Sequence, residues 1–355
     1  MEKLRVGIIG AGNIAGIHLN SYMKNPNVKV EAICDIDSEK LNQTADRYKI
    51  VKRFLSVEDM LDNTALDAAD VCVWNCAHAE CTIAALNRGL DVLCEKPMAM
   101  SYAQACEMEE AAKKNGRLLM LGFVTRFSSE AKIAKDFIDA GTLGDIYYSK
   151  AVYIRRNGNP GGWFSDKSKS GGGPIIDIGV HPLDLTRYLM GNPEPESVYA
   201  VSWDNLHKER AGLKTRVEWY PKGADPKRDK CDVESSATAI IRYKGGKAVL
   251  LETTYAINGE PSGERVLYGT KGGISLDKMK IYSTSNGFMT DVNLVDTKRY
   301  TEAADMFDSE INHFVDCCIN KTECKSPAHD GVVIMKILDA LYESARTGHE
   351  VIIKN

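Results

Sequence analysis

The chain has 355 residues, of which 44% are hydrophobic and 26% charged, and its formal net charge is −4. This length predicts two domains, and the apolar share is sufficient for substantial cores. Acidic and basic residues are mixed along the chain, so we expect neither nucleic acid nor an anionic membrane as a partner. No apolar run approaches membrane-spanning length, and the run within residues 1–10 is too short for a signal peptide.

The 10 cysteines and 7 histidines indicate neither a disulfide framework nor a metal site. No Cys-x-x-Cys spacing occurs, and Cys34, Cys72 and Cys94 lie in apolar, strand-like runs. Such residues are typical of buried free thiols in a reducing compartment, so we expect a cytoplasmic protein. The histidines do not cluster with cysteines along the sequence, which argues against zinc, and we expect no metal.

A glycine-rich turn follows the first predicted strand. Residues 4–9 form a continuous apolar run, which is typical of a parallel strand buried on both faces. Positions 10–15 then read G-A-G-N-I-A, the G-x-G-x-x-A pattern that precedes a helix. Gly10 allows the tight turn, Gly12 lets a pyrophosphate approach the backbone, and Ala15 lets helix and strand pack closely. The helix N-terminus attracts the phosphates, so the pattern predicts a dinucleotide site.

An acidic residue supports this prediction and indicates which dinucleotide binds. A second predicted strand, residues 28–34, ends in Asp35, about 20 residues past the glycine turn. A carboxylate at that place hydrogen-bonds the adenosine ribose hydroxyls and repels a 2′-phosphate. We therefore expect NAD, with NADP possible; the alternative role for Asp35 is that of a turn or helix-capping aspartate.

Strand–helix alternation continues to residue 123. Helix starts are marked by Asp37 or Ser38 and by Ser56 and Ser101, and further strands are predicted at 69–74, 90–94 and 117–123. The alternation predicts a doubly wound parallel sheet, with ligands at the carboxyl ends of its strands. Taken singly, a polar residue at such an end is as typical of a surface loop as of a ligand site. Five polar residues lie at or near these ends: Asn75, His78, Glu95, Lys96 and Arg126.

The pattern changes after Arg126. A helix at 128–140 is followed by long alternating runs, which predict an antiparallel sheet. These runs lie at 146–155, 197–203, 234–243, 247–257 and 264–269; helices at 306–319 and 330–346 and an edge strand at 350–354 follow. Residues 205–232 form a charged excursion whose role the sequence does not indicate. The predicted fold is α/β, with a dinucleotide-binding Rossmann domain over 1–126. A substrate-binding and oligomerisation α+β domain with a large open, mainly antiparallel sheet covers 127–355.

The stretch at 170–184 reads S-G-G-G-P-I-I-D-I-G-V-H-P-L-D. Its three glycines permit unusual backbone angles and the close approach of a ligand, and Pro174 suits a first helical position. On one continuous helix, Asp177, His181 and Asp184 would share a face. Imidazole titrates near neutral pH, and a carboxylate one turn away can fix its tautomer and raise its basicity. The stretch predicts a proton-transfer site; the alternative is a partly solvated polar helix face.

Three linked signatures resemble the Gfo/Idh/MocA oxidoreductase family, which includes inositol dehydrogenases and glucose–fructose oxidoreductase. They are the glycine turn with Asp35, the Glu95-Lys96-Pro97 element after a strand, and the stretch at 170–184. The likeness covers nearly the whole chain. In one departure, many relatives read Thr-Pro-Asn where positions 73–75 here read V-W-N, which affects the expected contacts near the cofactor ribose.

The resemblance implies roles for individual residues. Lys96 would touch both cofactor and substrate and steady the reacting oxygen, while Asp177 and His181 would line the substrate pocket, with His181 as proton acceptor. The residues expected to hold the cofactor are Gly10, Gly12, Asn13, Ile14, Asp35, Asn75, His78, Glu95, Lys96 and Arg126.

Two further residues are assigned to the substrate side. Trp163 lies in the glycine-containing loop 157–169, where its ring could stack on a sugar or could equally anchor the loop. Arg155 and Arg156 end a strand, and since neighbours point to opposite faces, at most one reaches the pocket. The expected substrate-binding residues are Lys96, Arg155, Trp163, Asp177 and His181.

We therefore expect hydride transfer between the nicotinamide and a secondary alcohol of a sugar, sugar derivative, glycoside or polyol, with Lys96, Asp177 and His181 as the catalytic set. One alternative is a redox-assisted glycoside-cleaving enzyme that retains its NAD. Another is a non-catalytic NAD-binding regulator, against which the intact catalytic set argues. An open sheet has one face to cover, so a homodimer or homotetramer is expected.

Overall fold

The computed structural model describes residues 2–206, 230–295 and 305–354, so most of the predicted excursion at 205–232 lies outside the described residues. The described residues form two compact units. The first contains 2–127 and 305–332, and the second contains 128–206, 230–295 and 333–354. The first long stretch ends at Phe127, one residue from the predicted boundary, but 305–332 join the first unit although they were assigned to the second domain.

The first unit is built on a parallel sheet. Its strands are β1 (Leu4–Ile9), β2 (Val28–Cys34), β3 (Lys52–Phe54), β4 (Ala68–Val71), β5 (Asp91–Glu95) and β6 (Leu119–Gly122). The order is β3-β2-β1-β4-β5-β6, with parallel pairing throughout. The order reverses next to β1, so the carboxyl ends of β1 and β4 border the crevice where such sheets bind dinucleotides. The predicted doubly wound sheet is confirmed, whereas β3 was not predicted.

Several helices begin where the sequence places capping side chains. They are α1 (Asn13–Lys24), α2 (Ser38–Tyr48), α3 (Val57–Asn63), α4 (His78–Asn87), α5 (Tyr102–Asn115), α6 (Ser129–Asp139), α7 (Lys167–Ser170), α8 (Val180–Leu189), α9 (Met306–Asn320) and α10 (Ala328–Thr347). Asp37, Ser56 and Ser101 each accept a backbone N–H in the first turn of α2, α3 and α5, as their types predict. None of the described helices combines the length and the apolar character needed to cross a membrane.

Helix α9 belongs to the first unit because it completes that unit's core. Its Ile311 and Phe314 are fully buried in the same cluster as Leu19 and Tyr22 of α1. Burying a large apolar side chain contributes about 1.5–3 kcal/mol, so this pairing stabilises the unit substantially. At its edge, the carboxylate of Asp308 accepts hydrogen bonds from the side chains of Ser21 and Lys24.

The second unit is built on a mixed, mainly antiparallel sheet, as predicted. Its strands are β7 (Ile146–Ile154), β8 (Pro195–Trp203), β9 (Ser236–Tyr243), β10 (Lys247–Thr254), β11 (Arg265–Gly269), β12 (Gly273–Ser275), β13 (Lys280–Ser285), β14 (Phe288–Asn293) and β15 (Val351–Ile352). Among the described strands the order is β14-β13-β12-β11-β7-β10-β9-β8-β15, which puts the predicted last strand at an edge. The pair β7–β10 is parallel, so the carboxyl ends of these two central strands meet at one edge.

Candidate active site

The glycine turn of the first unit has the geometry of a phosphate-binding turn. Gly10 has φ +103°, and a Cβ there would lie 2.5 Å from the carbonyl oxygen of Cys72, so only glycine fits. Gly12 precedes α1, and a Cβ built on it would meet no described atom within 4 Å. The exposed N-terminus of α1 is therefore open to an anion. Asn13 is exposed and Ile14 half-buried at the start of this helix.

Asp35 fastens this turn to the end of β2. Its Oδ2 accepts the backbone N–H of Ala11 at 2.7 Å, and its Oδ1 accepts that of Asp37 at 2.8 Å. The side chain thus acts as a turn aspartate, which was the alternative role in the sequence analysis. A carboxylate offers about four acceptor positions, so these two bonds leave capacity for ribose hydroxyls.

The turn after β4 is fixed by His78. Asn75 is buried at the start of a short 3₁₀ turn, and His78 is buried directly after it. The Nδ1 of His78 lies 2.7 Å from the carbonyl oxygen of Pro97, and its Nε2 lies 3.1 Å from that of Val73. Burial lowers the pKa of His78, which favours the neutral ring. Both ring nitrogens face backbone carbonyl oxygens, and a neutral ring donates to one of them. His78 lies between the two loops in this way, and its contact with the cofactor stays a prediction.

The Glu95-Lys96-Pro97 element follows β5 at the same edge. Glu95 is buried, and its Oε2 accepts the backbone N–H of Lys96 at 3.1 Å. A Cβ on Gly122 would lie 3.0 Å from Oε1 of Glu95, so the glycine at the end of β6 makes room for this carboxylate. Lys96 itself is half-buried.

Beneath Glu95 lies a polar cluster that sequence reasoning missed. His18 of α1, Asp70 of β4 and Glu310 of α9 are all fully buried beside it. The Nδ1 of His18 lies 2.8 Å from Oδ2 of Asp70, and its Nε2 lies 3.2 Å from Oε1 of Glu95. The signal available in the sequence was a set of polar residues in otherwise apolar strands and helices, without an indication that they meet.

Arg126 is held inside the first unit. Its Nη1 donates to the carbonyl oxygen of Lys325 at 2.6 Å and to Oδ2 of Asp330 at 2.7 Å, and the guanidinium lies 5.1 Å from the centre of the Phe123 ring. These contacts give Arg126 a structural role. Its predicted contact with the cofactor is not tested by them.

Two candidate residues of the second unit, Arg155 and Asp177, lie near the carboxyl ends of β7 and β10. The backbone N–H of Arg155 donates to the carbonyl oxygen of Thr254 at 3.0 Å, which brings Arg155 and Tyr255 to one edge. Thr253 donates its hydroxyl to the carbonyl oxygen of Pro174 at 3.0 Å and ties this edge to the stretch at 170–184. The parallel pairing that creates this edge was not predicted.

The stretch at 170–184 is not one regular α-helix. Residues Ile175–Gly179 form a π-helical turn, and α8 begins only at Val180. This corrects the expected arrangement. Asp177 and His181 do not share one face of a continuous α-helix, because the π turn changes the angle between successive residues. Asp177 is buried in the π turn and His181 is half-buried on α8, while Asp184 is fully buried. Such π turns are frequent at functional sites.

Asp177 has a partner that sequence reasoning missed. The hydroxyl of Tyr255 donates to Oδ2 of Asp177 at 2.7 Å, and both residues are buried. Burial, and next the Asp177 carboxylate, raise the pKa of Tyr255 well above its usual value, so the phenol keeps its proton and donates it. The carboxylate is thereby held in one orientation.

The glycine run makes room for protein atoms. A Cβ on Gly172 would lie 1.9 Å from the hydroxyl oxygen of Tyr342, and one on Gly173 would lie 2.2 Å from the carbonyl oxygen of Glu234. The Glu234 carboxylate accepts the backbone N–H groups of Gly173 and Ile175, both at 3.0 Å, and the Tyr342 hydroxyl at 3.1 Å. Glu234 therefore caps the helix start, and the expected close approach at these glycines is to Tyr342 and Glu234.

Arg155 and Trp163 lie in the second unit with local contacts. The Arg155 guanidinium donates to the carbonyl oxygen of Gly158 and to the Tyr153 hydroxyl, both at 3.1 Å. The ring of Trp163 stacks on that of Phe164 with centroids 3.9 Å apart. These contacts support a loop-anchoring role for Trp163, and its stacking on a sugar stays a prediction.

Two histidines lie beside cysteines, which corrects an expectation. The Nδ1 of His18 lies 3.6 Å from the Cys72 sulfur, and His313 belongs to a second group. His313 and Cys317 are one turn apart on α9, and the fold adds Cys324, so their ligand atoms lie within 4.8 Å of one another. The Nε2 of His313 accepts the backbone N–H of Lys325 at 3.0 Å. The group lacks Cys-x-x-Cys spacing, and one of its three members, Cys324, lies beyond the end of α9.

The open N-terminus of α1, the tight turn at Gly10 and the carboxylate after β2 together form a dinucleotide site on a doubly wound sheet. These residues fit NAD, since the turn offers backbone N–H groups to a pyrophosphate and Asp35 offers acceptors to a ribose. With Asp177 in a π turn and His181 on the helix that follows it in the other unit, the chain has the parts of an NAD-binding oxidoreductase.

Comparison with known proteins identifies the family. Residues 4–123 match the model of an oxidoreductase family with an NAD-binding Rossmann fold, and residues 132–275 match the GFO/IDH/MocA C-terminal domain. The chain belongs to the GFO/IDH/MocA family of oxidoreductases. The resemblance seen in the sequence is thereby confirmed, as is the NAD-binding domain.

Individual relatives cover the same span. D-glucoside 3-dehydrogenase of Escherichia coli (strain K12) is 34% identical over 99% of this chain and 97% of that protein. Myo-inositol 2-dehydrogenase of Thermotoga maritima is 26% identical over 78% of this chain and 76% of its own length. The structure of a levoglucosan dehydrogenase with NADH and L-sorbose aligns with a TM-score of 0.84 at 22% identity, covering 99% of each chain. This last likeness supports the fold alone.

Proposed function

We propose that this enzyme oxidises a secondary alcohol of a glycoside or a related sugar with NAD. The observation that carries the proposal is the full-length likeness to D-glucoside 3-dehydrogenase, at 34% identity. The related proteins named for myo-inositol and levoglucosan are also dehydrogenases of ring-bearing polyols or sugars. A glucoside hydroxyl at position 3 is the first candidate for the oxidised group.

The first unit would hold the cofactor and present Lys96. The backbone at Gly12 and the N-terminus of α1 would bind the pyrophosphate, and Asp35 would accept the ribose hydroxyls. NAD, when bound, supplies the hydride acceptor. Lys96 would stabilise the negative charge that develops on the reacting oxygen, which is an electrostatic role suited to a fixed ammonium group.

The second unit would supply the proton acceptor. In the proposal, His181 takes the hydroxyl proton of the substrate. The Asp177 carboxylate orients the imidazole and raises its basicity. Support comes from the fixed Asp177 carboxylate, which Tyr255 holds at 2.7 Å, and from the half-buried position of His181. Arg155 and Trp163 would contact the remaining sugar hydroxyls and ring face.

The test is net reduction of NAD. Nucleotide-free protein is mixed with NAD and, separately, with methyl and aryl glucosides, free aldoses, levoglucosan and myo-inositol, and nicotinamide fluorescence is followed. Steady NADH production with a glucoside, and a 3-keto product by NMR, supports the proposal. Production only with myo-inositol moves the substrate class to polyols, and NAD binding without turnover of any substrate contradicts the enzyme proposal.

A second candidate activity uses the same site. A ketone at position 3 acidifies the neighbouring C2–H, and loss of that proton lets the aglycone leave from C1 with its bonding electrons; later reduction of the ketone returns the hydride. This redox-assisted cleavage is favoured by the relative's glucoside substrate, since only a glycoside carries such a leaving group. Aglycone release without net NADH identifies it, whereas NADH in proportion to the keto product identifies the dehydrogenase.

The catalytic set is tested by substitution. His181→Ala should lower kcat by about 10²–10⁴-fold, the usual effect of losing a positioned acid–base group, with unchanged NAD affinity. Lys96→Ala should lower kcat and also weaken NAD binding. His329→Ala removes an exposed histidine and serves as control. Turnover of His181→Ala at the control's level excludes His181 as the proton acceptor.

We also propose a homodimer or homotetramer in a reducing compartment. Tyr199, Val201 and Trp203 alternate along β8 and are between 37% and 48% exposed, next to exposed Ile240 of β9. This apolar stripe gives an open sheet a reason to pair. All ten cysteines are free, which supports the cytoplasm as the compartment.

A further inference from the structure

A buried cluster of ionisable side chains lies directly under the Lys96 loop. His18 projects from α1, and its two ring nitrogens face two different carboxylates. Nδ1 lies 2.8 Å from Oδ2 of Asp70, and Nε2 lies 3.2 Å from Oε1 of Glu95. His18 and Asp70 have no exposed surface, and Glu95 is 6% exposed. Charged groups this deep require compensation by neighbours.

Glu310 completes the cluster from α9. It is fully buried, and its ligand atom lies within 4.8 Å of those of His18 and Glu95. Neither of its oxygens has a hydrogen-bond partner among the described residues. An ionised carboxylate in that environment would be costly, whereas a carboxylic acid carries an O–H that can donate to a neighbouring carboxylate.

The chemistry of the cluster favours one distribution of protons. An imidazole between two carboxylates donates to both only as imidazolium. Burial opposes this charge, but Asp70 and Cys72 together outweigh it and raise the pKa of His18 well above its usual value. Burial, and next Glu95, raise the pKa of Glu310 well above its usual range. The cluster then contains a charged imidazole at His18 and a neutral carboxylic acid at Glu310.

We infer that His18 and Glu310 are positioning residues that hold the Glu95 carboxylate and, through it, the backbone of Lys96. His18, kept in place by its hydrogen bond to Asp70, attracts Glu95 as an ion pair at 3.2 Å. Glu310 packs beside both, with its ligand atom within 4.8 Å of theirs. Glu95 passes this constraint on, because its Oε2 accepts the Lys96 N–H at 3.1 Å. The catalytic consequence rests on the proposed function, in which Lys96 meets the reacting oxygen; the structural consequence does not.

The same side chains would also fit a divalent cation, with His18, Glu95 and Glu310 as ligands and Asp70 as the outer partner of the imidazole. The two possibilities differ in the state of Glu310, which is a neutral acid in our inference and an anion in a metal site. Glutamine has the shape of the neutral acid and keeps a donor and an acceptor, but it is a poor metal ligand. Glu310→Gln therefore separates them.

The state of Glu310 is read by infrared spectroscopy of the full-length protein at neutral pH. The wild type should show the C=O stretch of a buried carboxylic acid, shifted in D₂O and lost in Glu310→Gln. Glu110→Gln, on the exposed face of α5, is the matched control and should keep the band. The inference is overturned if the C=O band survives in Glu310→Gln or is absent from the wild type. Zinc that is retained by the purified wild type but not by Glu310→Gln would assign the metal site instead.

The positioning role is tested by a measurement that does not depend on enzyme activity. This is the NMR amide resonance of Lys96 in ¹⁵N-lysine-labelled protein, which is assigned by its loss in Lys96→Ala. It should shift in His18→Gln and Glu310→Leu, and it should stay in place in Glu310→Gln. In the glucoside assay, the first two variants should lose about 10- to 100-fold in kcat, since misplacement by an ångström costs this order of rate. Glu310→Gln should lose about twofold or less. An unmoved Lys96 resonance in folded His18→Gln refutes the role; a wild type without sugar oxidation refutes only the proposed function.

Discussion

The bond between Tyr255 and Asp177 provides a direct test of how the second unit's site is built. Tyr255→Phe removes only the hydroxyl that donates to Oδ2 of Asp177 at 2.7 Å. Both side chains are buried, and the acceptor is a carboxylate, so the bond belongs to the stronger, charge-assisted class. Removing it leaves Asp177 without one of its donors in a site that water does not readily reach.

The expected magnitude follows from that class. Hydrogen bonds to charged groups contribute about 1.5–3 kcal/mol, so the free energy of unfolding should fall by this amount. Because Asp177 also loses its fixed orientation, kcat should fall by about tenfold, while the KM for NAD should stay unchanged. The last expectation holds because the residues proposed for NAD belong to the other unit.

A second buried tyrosine in the same sheet is the matched control. Tyr243 of β9 is also fully buried, but its hydroxyl has no hydrogen-bond partner among the described residues. Tyr243→Phe should therefore be neutral or stabilising, since it removes an unsatisfied polar group. Urea denaturation followed by circular dichroism, together with steady-state kinetics, compares the two variants. Equal stability and equal kcat for Tyr255→Phe and Tyr243→Phe would refute the argument.

Three further predictions concern packing, pH and assembly. Gly172→Ala places a methyl group on the Tyr342 hydroxyl, so the melting temperature should fall by an amount equivalent to about 1–3 kcal/mol, whereas Gly259→Ala, at an uncrowded position, should change little. Arg5 forms two side-chain hydrogen bonds to Asp67 and lowers the pKa of that carboxyl. The pair therefore stabilises the fold fully above the ordinary carboxyl pKa near 4, and this stabilisation is lost as the pH falls through the lowered pKa of Asp67. Asp67→Asn should be less stable than the wild type at pH 7, and the difference should vanish in strong acid. Trp203→Lys should reduce the molar mass measured by light scattering, and an unchanged mass contradicts the proposed interface.

Local signals in the sequence predicted local structure well. Asp37, Ser56 and Ser101 cap helices because each side chain reaches an N–H only two or three residues away. The parallel sheet also followed from sequence, since buried parallel strands are apolar throughout and alternate with helices. The antiparallel character of the second sheet was predicted from alternation in the same way, but alternation does not indicate which strands are neighbours. The parallel pair β7–β10, about 100 residues apart in sequence, therefore remained hidden.

The candidate sites were only half predictable for the same reason. The position of Lys96 at a strand end is a local property, whereas the support that we infer from His18 and Glu310 depends on residues far apart in sequence. The π turn at Ile175–Gly179 likewise depends on packing, because Thr253 and Glu234 bind the backbone where the helix starts. Spacing rules for an ideal helix could not include it.

The motif residues divide into those proposed to face a ligand and those that hold other parts of the motif in place. Gly172 and Gly173 fit around Tyr342 and Glu234, and Glu95 braces the Lys96 loop from beneath. A motif that identifies an activity thus consists in large part of packing requirements. Substitutions at these supporting positions should therefore reduce stability together with turnover, whereas substitutions at His181 should reduce turnover alone. A stable, inactive Gly173→Ala variant would show instead that the glycine run serves the substrate directly.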